Sequence, residues 1–242
     1  MKYDKHKLNQ LATKLDELPD EDAPAIIQEM TREFYRKDFY MFAKKLIGYK
    51  DMSFKTHGCI TDLLQGPSKR KLICVPRGCL KSSIACVAFP IWLLINDPNL
   101  RILIDSELYT NSSTFIREIK LHMQNQALVD LFGSFVGSTW NSDEIIIKQR
   151  TKNLKEASIS AGGVETTKVG QHFDYIIHDD LNSPKNSSSP ESCQKVVDHY
   201  KYNTSILEPD GTMVIIGTRY SANDIIGHIL DNEENDYKRG LI

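Results

Sequence analysis

The chain has 242 residues, 40% of them hydrophobic, with 30 Lys and Arg against 32 Asp and Glu for a formal charge of −2. That composition excludes a disordered chain, a collagen-like repeat and a coiled coil, and the length suits one large domain, or one with a helical extension, able to bury a core unaided. The near-neutral balance gives no global pull on polyanions, so any such contact is expected from local patches and to be weak.

Five cysteines, at 59, 74, 79, 86 and 193, are odd in number and contain no C-x-x-C pair, which argues for free thiols in a reducing compartment. No apolar run reaches about 18 residues and no signal-peptide core opens the chain, so a soluble, non-exported protein without membrane contact is expected.

Residues 1–65 read as an N-terminal helical extension, with Ile26, Ile27, Met30 and Phe34 at helical spacing after Pro19 and Pro24. A core over 66–230 follows, in which short apolar runs at 72–75, 101–104, 144–147, 157–160, 175–177 and 213–216 predict strands. Longer amphipathic stretches at 82–95, 110–131, 191–207 and 223–230 predict helices. Such alternation implies an α/β fold with a mostly parallel sheet covered on both faces and ligands beyond the carboxyl ends of the strands. The basic stretch 148–155 suggests a hairpin excursion, 182–190 is a Ser/Pro/Asn loop, and 231–242 reads as an acidic tail or linker.

Three strand ends carry related chemistry. The first is Pro76-Arg77-Gly78-Cys79-Leu80-Lys81-Ser82-Ser83 before an apolar helix. Strand, loop, Lys-Ser and helix is the layout of a phosphate-binding loop, in which backbone N–H groups and a helix N-terminus surround phosphate oxygens, a Lys reaches the β- and γ-phosphates and a hydroxyl meets Mg²⁺. The standard spacing would place glycines at 75 and 80, where this chain has Val75 and Leu80. The second end is Phe173-Asp174-Tyr175-Ile176-Ile177-His178-Asp179-Asp180, an apolar strand closing in two acids that divide metal holding and water activation between them. A surface turn or helix cap is the alternative for this pair. The third is Met213-Val214-Ile215-Ile216-Gly217-Thr218-Arg219, whose hydroxyl and guanidinium could respond to a γ-phosphate.

The ordered set resembles the large terminase subunits of tailed bacteriophages, whose deviant Walker A typically reads P-R-G-x-x-K-S. The similarity runs over about residues 40–230, through Phe89-Pro90-Ile91-Trp92, the segment 96–103, the acid pair, and Thr218-Arg219-Tyr220 before Asp224-Ile225-Ile226-Gly227. It implies a P-loop NTPase three-layer sandwich that hydrolyses ATP with Mg²⁺ to drive double-stranded DNA into a procapsid in the host cytoplasm. By the resemblance, Arg77, Gly78, Cys79, Leu80, Lys81, Ser82 and Ser83 bind nucleotide, Arg77 also acts in catalysis, and Ser82 and Asp179 hold the metal. Asp180 is the catalytic carboxylate, where many relatives have the longer Glu, and Gly217, Thr218 and Arg219 form the coupling motif. His57 matches a segment near the adenine, and a trans-acting basic finger is expected at Lys168, Arg150 or Arg117. The implied partners are the procapsid portal, the small terminase subunit and weakly, non-specifically held DNA, with a monomer in isolation and a homo-oligomeric ring in action. A nuclease domain usually follows in the family and does not fit within residues 231–242. Two alternatives remain open: a helicase-like translocase without a capsid partner, and a non-hydrolysing P-loop DNA-binding or scaffold module.

Overall fold

The computed structural model describes residues 23–166 and 168–241; the first part of the expected N-terminal extension, 1–22, lies outside the described residues. Helix α1 (Ala23–Lys37) is followed by α2 (Phe39–Met41), which runs into a π-helical stretch at Phe42–Ile47, and then by α3 (Phe54–Gln65). Strand β1 (Arg70–Cys74) leads into a helix that starts in π form at Ser83–Ala88 and continues as α4 (Phe89–Asn96). Next come β2 (Ile102–Ser106), α5 (Tyr109–Met123), α6 (Gln126–Phe132), β3 (Val136–Trp140), β4 (Glu144–Ile147), β5 (Ile159–Gly163) and β6 (Phe173–Asp179). The chain closes with α7 (Pro190–Ser205), β7 (Leu207–Gly217), α8 (Ile225–Asn232) and β8 (Lys238–Leu241).

The eight strands form one sheet in the order β3-β4-β5-β2-β6-β7-β1-β8. From β5 to β8 every pairing is parallel, while β4 runs antiparallel to both β3 and β5, so 148–155 is the return of a meander. Side chains alternate across the strands as a period of two requires. Ile73, Ile102, Ile104, Ile177, Val214 and Ile216 enter a core shared with α3, α4 and α5, whereas Leu72, Leu103, Ile176, Met213 and Ile215 enter one shared with α7 and α8. Burial on both faces explains why these strands read as continuous apolar runs, and it produces three layers.

Two sequence expectations are corrected. The helix expected over 110–131 breaks after Met123, because Asn125 turns outward and its Oδ1 accepts the Ala127 N–H at 3.0 Å, restarting the chain as α6. The stretch expected as an acidic tail instead carries β8, which pairs Lys71–Lys238 through Cys74–Leu241, with Tyr237 buried against the second core. Strand β3, which begins Val136-Gly137-Ser138, carried no apolar run to mark it. No described helix is long and apolar enough to cross a membrane.

Candidate active site

Strand β7 lies between β1 and β6, with Cys74 opposite Gly217 and Asp179 opposite Ile216. That register brings the three strand ends to the same level at the carboxyl edge of the sheet. The loop after β1 then has to turn sharply into the helix. Gly78 has φ +82°, and Leu80 has φ +51°, a left-handed value that costs a non-glycine residue about 1–2 kcal/mol. Leu80 therefore keeps the backbone form that the standard loop assigns to glycine, while its side chain packs against the first core and its carbonyl accepts the Ile84 N–H at 2.9 Å.

Lys81 and Ser82 emerge at the helix start and meet the other two ends. The Lys81 ammonium, 5% exposed, donates to Thr218 Oγ1 at 2.6 Å and to Asp180 Oδ1 at 3.1 Å. Ser82 Oγ donates to Asp179 Oδ1 at 2.7 Å. The two acids face different partners because successive strand residues point to opposite sides until Asp180, at φ +41°, turns the chain back. Asp and Asn tolerate this left-handed geometry better than most residues with a side chain do. The Asp180 N–H donates to Ile216 O at 2.9 Å, and its Oδ1 also accepts the Thr218 N–H at 3.1 Å, so acid and hydroxyl are fixed to one another.

Burial pushes the Asp179 carboxyl up to about 7, against the pull of the Ser82 hydrogen bond and with the Asp180 charge adding to the rise. A buried carboxylate beside a hydroxyl fits a hard divalent cation such as Mg²⁺, which takes one or two protein oxygens and completes its shell with water and phosphate. Among the described residues no group of three or more His, Cys, Asp or Glu could hold a metal, so such a site would rest on Ser82 and Asp179.

Arg77 is exposed on the loop, where it donates to the Tyr220 hydroxyl and lies 5.6 Å from the centre of that ring. Arg219 turns back onto its own loop, donating to Ser221 O at 3.2 Å and Ala222 O at 3.4 Å. Buried Asp224 organises this segment by accepting the N–H groups of Tyr220, Ser221 and, as the α8 cap, Gly227. A side chain at Gly227 would collide with Ala222 O at 1.9 Å, so the loop closes only over glycine.

The remaining expected site residues do not converge on Lys81. Ring Nδ1 of His57, in the first turn of α3, accepts the Ser53 N–H at 3.0 Å, which is a cap contact. Lys168 pairs with Glu144 at 3.7 Å, Arg150 donates to Glu156 O at 2.6 Å, and Arg117 is exposed on α5. Tyr220, which touches Arg77, is signalled in the sequence only as an aromatic directly after Thr218-Arg219. His178, which breaks the apolar run of β6, points away from the loop into a buried cluster. There Asp105 Oδ2 accepts from His178 at 2.9 Å, His199 at 2.7 Å and Asn203 at 3.0 Å. Burial alone would raise the Asp105 pKa, but the two histidines outweigh it and hold the carboxyl below its ordinary value.

No protein-family model matches the chain. The large terminase subunit of Enterobacteria phage T3 is 28% identical over 177 residues, which covers 70% of this chain and 29% of that protein. The chain thus spans less than a third of the length of this distant relative. A solved structure of S. cerevisiae Dbp5 bound to Nup159, Gle1, IP6 and ADP superposes with a TM-score of 0.48 at 11% identity, covering 84% of this chain and 51% of that one.

Proposed function

We propose that the chain is the ATP-hydrolysing motor portion of a terminase-type DNA-packaging machine. The observation that carries this reading is the hydrogen-bonded meeting of Lys81 with Asp180 and Thr218, and of Ser82 with Asp179, from three separate strand ends. Lys81 exchanges its acid and hydroxyl partners for the β- and γ-phosphate oxygens, and the N–H groups of 78–82 with the helix N-terminus take the rest. Ser82 and Asp179 would hold Mg²⁺, which would supply positive charge to offset that developing on the transferring phosphoryl group. Asp180, released from Lys81, orients the attacking water and accepts its proton. Thr218, bonded to both Lys81 and Asp180, transmits the loss of γ-phosphate into the segment that Asp224 organises, and Arg77 reaches the same segment through Tyr220. Duplex DNA, the procapsid portal, the small terminase subunit and a ring of identical subunits in the host cytoplasm complete the proposal; its support is the distant T3 relative together with the motif order.

The test is steady-state phosphate release by the purified chain with Mg-ATP, with and without duplex or single-stranded DNA. Mg²⁺-dependent turnover that duplex DNA stimulates, without strand separation, is the expected result. Strand separation with single-strand stimulation would transfer the chain to the helicase-like translocases. Tight nucleotide binding without turnover would make it a scaffold module, the alternative that Leu80 and Asp180 keep open.

A further inference from the structure

The loop 148–155 lies at the end of the sheet opposite the candidate active site. It links the end of β4 to the start of β5, whereas Lys81, Asp180 and Thr218 sit where the parallel strands finish. It carries Lys148, Arg150, Lys152 and Lys155 and no acid. Among the described residues none of these four cations is ion-paired. The neighbouring carboxylates are already engaged, since Arg101 takes Glu156 at 3.6 Å, Asp174 at 2.8 Å and Glu208 at 2.7 Å. Arg150 and Lys155 find only carbonyls, Glu156 O at 2.6 Å and Gly170 O at 2.8 Å, and Nε and Nη2 of Arg150 are buried without a partner. Burial, with the Arg101 charge adding to it, holds the Arg150 pKa below the ordinary guanidinium value, against the opposing pull of Glu156 and Asp174.

The loop is also held in place. Asn99 Oδ1 accepts the N–H groups of Thr151 and Lys152 at 3.0 and 2.8 Å and the Thr151 hydroxyl at 3.2 Å, while Gln149 donates to Phe132 O and Ser134 O. Beside it runs a groove of about 360 Å³ lined by Gly137, Ser138, Lys148, Arg150, Lys152 and Asn153, with no acidic side chain on its walls. The other basic run, Lys69-Arg70-Lys71, has no such form: Lys71 is buried with its ammonium on Leu63 O and Gly66 O, and Lys69 donates to Asp210 O.

We infer that loop 148–155 and its groove form a preformed contact for the phosphate backbone of duplex DNA. A loop whose backbone is held in place and which presents the exposed, unpaired Lys148 and Lys152 suits a polyanion, and such cations neutralise phosphates without reading sequence, which gives an electrostatic, salt-sensitive grip. The choice of duplex DNA rests on the motor reading above; the anion chemistry of the loop does not.

Lys148→Glu/Lys152→Glu alters two exposed side chains, and circular dichroism checks that the fold is kept. Binding of a labelled, sequence-random duplex of about 30 base pairs is followed by anisotropy from about 50 to about 200 mM salt. The variant should bind at least about 10-fold more weakly, with a log–log salt slope shallower by about 2, one for each lost phosphate contact. A charge-matched control, Lys50→Glu/Lys55→Glu, should keep the wild-type slope. Equal slopes for wild type and the loop variant, or an equal loss in the control, would overturn the assignment. DNA-free phosphate release separates this inference from the motor reading: a loop-dependent slope in a chain without turnover keeps the contact and removes the motor, and turnover with a loop-independent slope does the reverse.

Discussion

Lys81 and Asp180, 99 positions apart in the sequence, form an ion pair of 3.1 Å that also holds Thr218. In the proposed motor the pair divides two tasks. Lys81→Ala removes a charged donor to ground-state phosphate and should weaken ATP binding by about 10- to 100-fold. Asp180→Asn keeps an acceptor for Lys81 and the Thr218 N–H and tolerates the positive φ, so binding should survive while hydrolysis falls by about 10²- to 10⁴-fold. Fluorescent-nucleotide titration beside phosphate release reads both effects. Wild-type turnover in Asp180→Asn would remove Asp180 from the mechanism.

Lys71 gives a prediction about pH. It is 2% exposed at the start of β1, and burial, with Lys69 adding to it, holds its pKa down at about 8 in the fold against 10.5 as the ordinary value. The unfolded chain therefore binds more protons than the folded chain between about pH 8 and 10.5, and wild-type stability contains a term that rises with pH through that window. Below pH 8 the full cost of burying the charge is present. In Lys71→Met the term is absent, so the wild type should gain on the order of 2–3 kcal/mol relative to the variant between pH 7 and pH 10. Denaturant midpoints at the two pH values measure the difference, from which other titrating groups cancel. Parallel profiles would show that the carbonyls of Leu63 and Gly66 carry the ammonium without cost.

Fold class and the order of the site were legible because both faces of the central strands are buried. Ile73 and Leu72 serve opposite cores, so β1 reads as an apolar run rather than an alternating one. The edges were harder. Strand β3 packs on one side only and begins with small residues, and β8 follows an acidic segment whose composition says linker. At the site, the missing glycine at Leu80 looked like a fault in the motif, whereas φ +51° shows the backbone form retained and the residue alone changed. His57 illustrates the opposite limit: its spacing before β1 was visible, but its use as a cap partner for Ser53 depends on where α3 begins.

If hydrolysis needs a basic residue from the next subunit, activity per subunit should climb as protein concentration rises or when the procapsid portal templates a ring, because such a finger contributes about 10³-fold or more to the rate. The geometry ranks the three candidates. Lys168 is held by Glu144 at 3.7 Å, and Arg150 is fixed to Glu156 O at the end of the sheet away from the nucleotide loop. Arg117 is exposed on α5, the helix packed beside the one that follows the loop, and its planar fork suits phosphate oxygens better than a Lys head does. Arg117→Gln should therefore flatten the rise while leaving monomer nucleotide affinity unchanged, and Lys168→Gln and Arg150→Gln should preserve it. A rise lost in Lys168→Gln instead would show that the Glu144 pair opens in the ring. Specific activity that is flat across protein concentration and indifferent to the portal would indicate a self-contained site, with Arg77 supplying the charge from within the same subunit once Tyr220 releases it.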